Sequence, residues 1–188
     1  MFDKCTAMNG DLSGWALSGD VSYMFLDCTA LNHSSISNLD VSGVTNMLNM
    51  FQECSSFNQP LNSWNVGSVV NMGGVFRGCS LFNQPINSWN TESATDMSWL
   101  FGQADNFNQP LDLWNTSSVT TTYAMFYQSS MNQDLGSWDV SLMTDMDYML
   151  DSASLDNANY QAILTGWTGW TGGVATKTVQ PNVMARFG

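Results

Sequence analysis

Residues 57–79 read FNQPLNSWNVGSVVNMGGVFRGC, and degenerate copies of this segment recur along almost the whole chain. The opening Phe-Asn-Gln-Pro occurs three times at intervals of 25 residues, beginning at Phe57, Phe82 and Phe107. A fixed period in this range is the sequence signature of stacked structural repeats. The pattern therefore predicts a repeat solenoid in which each copy packs against its neighbours.

The Phe that stands three residues before the Cys position gives a register for the copies. Its equivalents lie 23 to 26 residues apart and are Phe2, Phe25, Phe51, Phe76, Phe101, Phe126 and Leu150. Loops between stacked elements absorb variations of this size. We therefore expect about six coils within residues 1–150.

The pattern changes in residues 151–188, which we predict to form a C-terminal cap with a helix from Asp156 to Leu164 and a last strand from Val174 to Val179.

The first half of the copy carries the spacing that leucine-rich repeats use for a short parallel strand. Leu61, Trp64 and Val66 follow the pattern L-x-x-L-x-L, and five other copies follow it with substitutions. In a strand, neighbouring side chains alternate between faces, so Trp64 points inward and Asn65 outward. The equivalent inward tryptophans are Trp15, Trp89, Trp114 and Trp138. Core packing is therefore favoured over sugar stacking for these side chains, and Trp167 and Trp170 are the candidates for exposure.

The second half of the copy has apolar residues at helical spacing. Val44, Met47, Phe51 and Cys54 stand at i, i+3, i+7 and i+10, which favours a short helix or a 3₁₀ turn. Together the two halves predict the α/β class. The expected architecture is a leucine-rich-repeat-like, right-handed solenoid with a short parallel sheet.

An asparagine precedes each strand segment and forms a column of its own. Its members are Asn9, Asn32, Asn58, Asn83, Asn108 and Asn132. A carboxamide has both donors and an acceptor, so it can bond its own turn and the next coil together. We interpret this column as structural.

The charge of the chain restricts its partners. The 188 residues include 16 Asp and Glu against 4 Lys and Arg, for a formal net charge of −12. Nucleic-acid binding needs a basic surface to neutralise phosphates, so this composition argues against it. No run of apolar residues is long enough to insert into a membrane. The polar residues are mostly Asn, Ser, Thr and Gln, a composition often found in exported proteins, and the chain starts in mid-repeat as if cut from a longer one.

The four cysteines occupy one repeat position: Cys5, Cys28, Cys54 and Cys79. Later copies place Ala104, Ser129 and Ala153 there, which indicates a slot for a small buried side chain. Zinc ligands usually come in closely spaced pairs, so no metal is predicted. Coils on the helical side of a solenoid are widely spaced, and we expect thiols rather than disulfides.

Two alternatives stay open for the acidic residues near the C-terminal coils, a Ca²⁺ site or a solvated acidic surface, and the second is favoured. These residues are Asp139, Asp145, Asp147 and Asp151.

The repeated motif F-N-Q-P-L-x-x-W-x-V with V-x-x-M-x-x-x-F-x-x-C, and the ending N-Y-x-A-I-L-T-G-W, resemble the BspA-type leucine-rich-repeat-like surface proteins and related mycoplasma lipoproteins. The resemblance covers roughly residues 1–168. It implies a secreted or cell-surface location and a role in adhesion, and it supplies no catalytic residues. Leu39 departs from the family pattern, which has Trp there.

These observations predict a non-catalytic binding or adhesion module without cofactors, with a protein or glycan ligand on a cell surface or matrix. The default binding face is the outward column of the sheet: Asp40, Asn65, Asn90, Asn115 and Asp139. A structural alternative is a stalk or a fibre subunit that self-associates through its uncapped N-terminal coil. Ice binding is a third alternative, disfavoured because Thr45, Thr95, Thr120 and Thr144 form one column interrupted by Val70. The single histidine, His33, has no nucleophile motif beside it, so an enzyme is not expected.

Overall fold

A computed structural model of the chain describes Phe2 and residues 4–167. Two short strands, β1 (Ala16–Asp20) and β2 (Asp40–Asn46), pair in parallel with two irregularities in register. A 3₁₀ helix over Ser34–Asn38 leads into β2, and one α-helix, α1 (Asn157–Gly166), ends the described part. The remaining described residues form turns, extended segments and isolated bridges.

The predicted fold class is therefore wrong. An α/β leucine-rich-repeat-like solenoid would contribute a strand and a helix or turn from each of about six coils, whereas the described residues contain two strands and one α-helix. In the first half of the copy, the Trp64 N–H donates to the Leu61 carbonyl oxygen at 3.0 Å, which closes a turn. The ends of such a turn are three residues apart, so the L-x-x-W spacing does not require a strand.

The second half of the copy is a chain of tight turns rather than a helix. Two positions in it hold left-handed backbone conformations four residues apart, for example Tyr23 and Asp27, with φ near +57°. In the copy with two glycines, Gly74 and Gly78 occupy those positions. A left-handed residue every fourth position interrupts the ladder of an α-helix. Apolar spacing of three and four residues arises here from the turns.

Successive copies are joined by backbone hydrogen bonds between residues about 25 positions apart. The Phe51 N–H donates to the Val75 carbonyl oxygen at 3.0 Å, and the Phe76 N–H donates to the Leu100 carbonyl oxygen at 3.0 Å. A row of parallel bridges runs beside them, linking Asn46, Asn71, Asp96, Thr121 and Asp145 in order. Equivalent residues of neighbouring copies therefore lie next to each other through residue 145.

The core consists of stacked aromatic columns. Phe76 lies 6.0 Å from Phe51 and 5.7 Å from Phe101, measured between ring centroids, with interplanar angles of 4° and 9°. A second column runs through Phe57, Phe82 and Phe107, and Phe82 lies 4.0 Å from Phe76. All of these phenylalanines are fully buried. Each ring therefore packs against copies before and after its own as well as against the second column.

The predicted inward tryptophan column is correct for four of its five members. Trp64, Trp89, Trp114 and Trp138 are each 3–4% exposed, whereas Trp15 is 39% exposed. Their indole N–H groups donate to a carbonyl oxygen of the preceding copy, as Trp89 does to Leu61 at 2.9 Å. The predicted exposure of Trp167 is wrong: its ring packs against the core, and its indole N–H donates to the Leu135 carbonyl oxygen at 3.0 Å.

The predicted C-terminal helix is confirmed as α1, with the Asp156 carboxylate accepting a hydrogen bond from the Asn159 N–H at 2.9 Å. Gly136 and Gly166 allow the helix end to lie against the last copy, because a Cβ on Gly166 would clash with the Gly136 carbonyl oxygen.

Trp170 and the predicted strand at Val174–Val179 lie outside the described residues. In the part that the structure describes, no helix is long and apolar enough to cross a membrane. The division at residue 150 stays a prediction.

Candidate functional site

The outward column predicted as a binding face is exposed at all five positions: Asp40, Asn65, Asn90, Asn115 and Asp139. Each side chain accepts a hydrogen bond from the backbone N–H two residues further on, at 2.9 to 3.2 Å. This is the Asx turn, in which a short polar side chain mimics a backbone turn. Four of the five members carry a sequence signal for this turn, because Ser or Gly stands two residues after the Asp or Asn; Asn90 is instead followed by Glu92.

The Asx turns fix each side chain while leaving part of it in solvent. Asn65, Asn90 and Asn115 use their Oδ1 atoms on the turn, and their Nδ2 groups bond no acceptor among the described residues. A carboxamide Nδ2 can donate two hydrogen bonds. The column is thus a row of amide Nδ2 donors, one per copy, whose side chains are fixed by the Asx turns. A carboxylate stands at each end of the row.

The two carboxylates of the column are stabilised in their ionised form. Hydrogen bonds from the Ser42 hydroxyl, and then from its backbone N–H, lower the pKa of Asp40. The Ser141 hydroxyl and backbone N–H lower the pKa of Asp139 in the same way. Hydrogen bonding to a carboxylate favours the charged form. Both ends of the column therefore carry negative charge at neutral pH.

The asparagine column, which precedes the first turn of each copy, has the structural role predicted for it. The Asn83 Oδ1 accepts from the Asn108 N–H at 3.0 Å and from the Gln109 Nε2 at 3.0 Å, both in the next copy. The same arrangement recurs from Asn32 to Asn132, where Asp156 and Asn159 take the donor places. The Oδ1 atoms of these amides join neighbouring copies, which gives the column a structural role.

The cysteine position has a structural explanation as well. The Sγ–H groups of Cys28, Cys54 and Cys79 donate to the carbonyl oxygens of Phe2, Phe25 and Phe51 at 2.9 to 3.0 Å. Burial raises the pKa of Cys54 and Cys79, which keeps both sulfurs as thiols. A thiol held in this form is a poor nucleophile and a poor metal ligand. These residues therefore form part of the core rather than a reactive site, while Cys5 is exposed.

The acidic residues near the C-terminal copies are spread among several turns. Asp139 and Asp145 each accept from a backbone N–H two residues on. Among the described residues, no group of three or more His, Cys, Asp or Glu side chains is placed to hold a metal ion. The Ca²⁺ alternative consequently gains no support from the geometry.

A cluster of aromatic side chains that the sequence analysis did not predict lines a shallow cavity of about 190 Å³. Its lining residues are Trp99, Tyr123, Ala124, Tyr127 and Tyr148. Tyr148 is 40% exposed, and the other three aromatic residues are half-buried. No spacing in the sequence marks these residues as a group, because they come from three copies and from different repeat positions.

A protein-family model described as "Mycoplasma protein of unknown function, DUF285" matches the chain twice, over residues 1–85 and over residues 62–163. The matches overlap and together span every repeat copy and most of α1. Comparison with curated proteins and with solved structures gave no significant match.

Proposed function

Because the chain belongs to the DUF285 family of mycoplasma proteins, we propose that it is a non-catalytic binding or adhesion module of a secreted or cell-surface protein. The finer assignment to the BspA type is part of the proposal and rests on the motifs of the repeat. The ligand is a protein or glycan on a cell surface or in a matrix, and no cofactor is involved.

One observation carries the proposal: the exposed row of Asn65, Asn90 and Asn115 between Asp40 and Asp139. Each amide is held by its own turn, so little conformational entropy is lost when a ligand accepts its hydrogen bonds. Carbohydrate hydroxyls and backbone carbonyls of an extended peptide both accept from such donors. A row with one donor per copy suits a ligand that is itself extended.

The test is binding of the intact chain to glycan and matrix-protein arrays, followed by a triple variant of the column. Asn65→Asp, Asn90→Asp and Asn115→Asp keep the oxygen that each turn needs and remove the amide donors. We expect the triple variant to lose the array signal while its thermal unfolding stays close to that of the parent.

A matched control separates loss of donors from added charge. Asn62→Asp, Asn106→Asp and Gln161→Glu add three carboxylates at exposed positions outside the column. Equal loss of binding in the control, or full binding by the column variant, would refute the proposed face.

The structural alternative, a stalk or self-assembling fibre subunit, differs from a monomeric module in its solution behaviour. Light scattering over a range of concentrations, with and without Ca²⁺, distinguishes the two. A constant monomer mass supports the binding module, and growth into long assemblies supports the structural role.

A further inference from the structure

The cavity between Trp99, Tyr123, Ala124, Tyr127 and Tyr148, named here the aromatic cage, lies outside the outward column and is independent of the function proposed for it. Its floor is Ala124, which is fully buried. Trp99 and Tyr148 occupy the same repeat position in the copies before and after Ala124, and all three have left-handed backbone conformations. Because Ala124 is small and Trp99 and Tyr148 are large, the space beside Ala124 forms a slot between the two rings.

The rings around this slot differ in orientation from the rings of the core. Trp99 makes angles of 61° with Tyr123 and 69° with Tyr127, and Tyr123 makes an angle of 77° with Tyr148. The centroids of these pairs are 5.5 to 6.0 Å apart. Core rings such as Phe76 and Phe101 are instead nearly parallel. Steep angles at these distances are edge-to-face contacts, so the slot is bordered by ring edges as well as faces and offers no flat, open aromatic face for a sugar ring to stack on.

The chemistry of the cage selects a cation. Aromatic faces carry partial negative charge and attract cations within about 6 Å. The Arg77 guanidinium already lies 4.2 Å from the centroid of the Trp99 ring, outside the set of residues that line the cage. Half-buried Asp147 and Asp151 flank Tyr148 in the sequence, and the chain has a net charge of −12. An anionic ligand is disfavoured by the net negative charge of the chain.

The size and the lining of the cavity further restrict which class of cation fits it. The cavity of about 190 Å³ is smaller than the ~300 Å³ lower end of pockets for drug-sized ligands, so it suits one compact group. A primary ammonium has three N–H donors that need acceptors, and the only side-chain acceptors in the lining are the three tyrosine hydroxyls. A quaternary ammonium has methyl groups in their place. We propose that the aromatic cage binds a quaternary ammonium group of the choline class.

The test is titration of the intact chain with choline chloride, followed through the ¹H–¹⁵N signal of the Trp99 indole. The matched probe is 3,3-dimethylbutanol, which has the same shape with a neutral carbon in place of the nitrogen. We expect saturable binding of choline and affinity for 3,3-dimethylbutanol lower by about tenfold or more, as loss of a cation–π interaction implies. Equal affinity for the two probes, or no binding of choline, would overturn the proposal.

Variants locate the site. Tyr148→Ala is expected to weaken choline binding by about tenfold, and Tyr148→Phe to retain it, because the ring face and not the hydroxyl makes the contact. Tyr23 occupies the same repeat position in an earlier copy and also has a left-handed conformation, but it lies outside the cage. Tyr23→Ala should leave choline binding unchanged. An equal effect of Tyr23→Ala and Tyr148→Ala would contradict the assigned site.

Circular dichroism of each variant shows whether it is folded before its affinity is compared. The array signal of Tyr148→Ala is expected to match that of the parent, since the outward column is unaltered. Failure of choline to bind while the array signal persists would therefore refute the cage alone.

Discussion

The copies before residue 47 and the copies after it are joined in different ways. Before it, β1 and β2 form a short parallel ladder, Trp15 is 39% exposed, and Leu39 stands in the tryptophan position. After it, the described residues contain isolated bridges and backbone hydrogen bonds between turns instead of a paired strand. Buried indole N–H groups add bonds between these copies, and the asparagine column runs through both regions. The Phe-Asn-Gln-Pro motif and the inward Trp occur together only in the second region. We infer that this motif joins copies through side chains, so that they no longer depend on regular strands.

The largest predicted effect comes from the tryptophan position. Trp89→Ala removes a ring that is 3% exposed and leaves the Leu61 carbonyl oxygen without its indole donor, so it should lower the free energy of unfolding by about 3–5 kcal/mol. Trp15→Ala in the first region should cost about 1 kcal/mol or less, because its ring is partly solvated. Urea unfolding of the two variants measures the difference. Equal losses would remove the distinction between the regions.

The asparagine column should give the next largest effect. Asn83→Ala deprives the Asn108 N–H and the Gln109 amide of their acceptor, and we expect a loss of about 1–3 kcal/mol. Asn9→Ala should cost less, since the Asn9 Oδ1 accepts only from the Asn32 N–H among the described residues. Asn83→Asp retains the acceptor and serves as the control in chemical denaturation. A stable Asn83→Ala variant would show that the column does not join the copies.

A smaller effect is expected where the backbone is left-handed. Gly74 has φ +61°, and a Cβ there would meet the Asn49 Oδ1 at 1.9 Å, so Gly74→Ala should destabilise the chain by about 1–2 kcal/mol. Gln103→Gly, at φ +60°, should be neutral or stabilising by up to about 1 kcal/mol, because glycine adopts this conformation without strain. Thermal unfolding measures both changes. Destabilisation by Gln103→Gly above about 1 kcal/mol would contradict the assigned backbone.

The smallest effect concerns pH. The pKa of Asp40 and of Asp139 is lowered in the folded state, so their hydrogen bonds stabilise the fold above the unfolded pKa of about 3.9, and that contribution is lost as pH falls through the lower folded pKa. The double variant Asp40→Asn, Asp139→Asn keeps the Asx acceptor, as Asn65 does in the same position. The parent should therefore lose stability relative to the variant below about pH 4. A difference in Tm that is constant from pH 7 to pH 3 would show that these turns do not depend on ionisation.

Part of this arrangement is readable from the sequence. The 25-residue period, the inward position of Trp89 and the structural role of Asn83 follow from repetition, because a buried column must conserve its chemistry from copy to copy. The helix near Asn157 follows from its Asp156 N-cap. These features depend on residue types that recur at one position.

The local backbone was not predictable in the same way. Apolar residues three apart mark the ends of a turn as well as one face of a helix, so the spacing of Phe51 and Cys54 did not distinguish the two. The left-handed conformations fall on Gly74 and Gly78 in one copy but on Tyr23, Trp99 and Ala124 in others, and these last residue types give no signal for it. Trp167 was missed because α1 inserts extra residues before it, which breaks the period.

The two candidate sites also differ in how far they could be predicted from the sequence. The exposed position of Asn65 was expected from alternation, and its turn-forming role had a local signal in the glycine two residues on. The aromatic cage depends on which copies lie beside Ala124, so it required the structure. Its members share no motif, and only their distances bring them together.

The second half of each copy is a chain of turns with left-handed residues four apart. NMR measurement of φ-dependent couplings and intraresidue NOEs at Trp99, Gln103, Ala124 and Gln128 tests it most directly. We expect positive φ at all four, with the residues between them in negative φ. Helical φ throughout residues 97–104 and 122–129 would contradict the claim and would restore a helix to each copy.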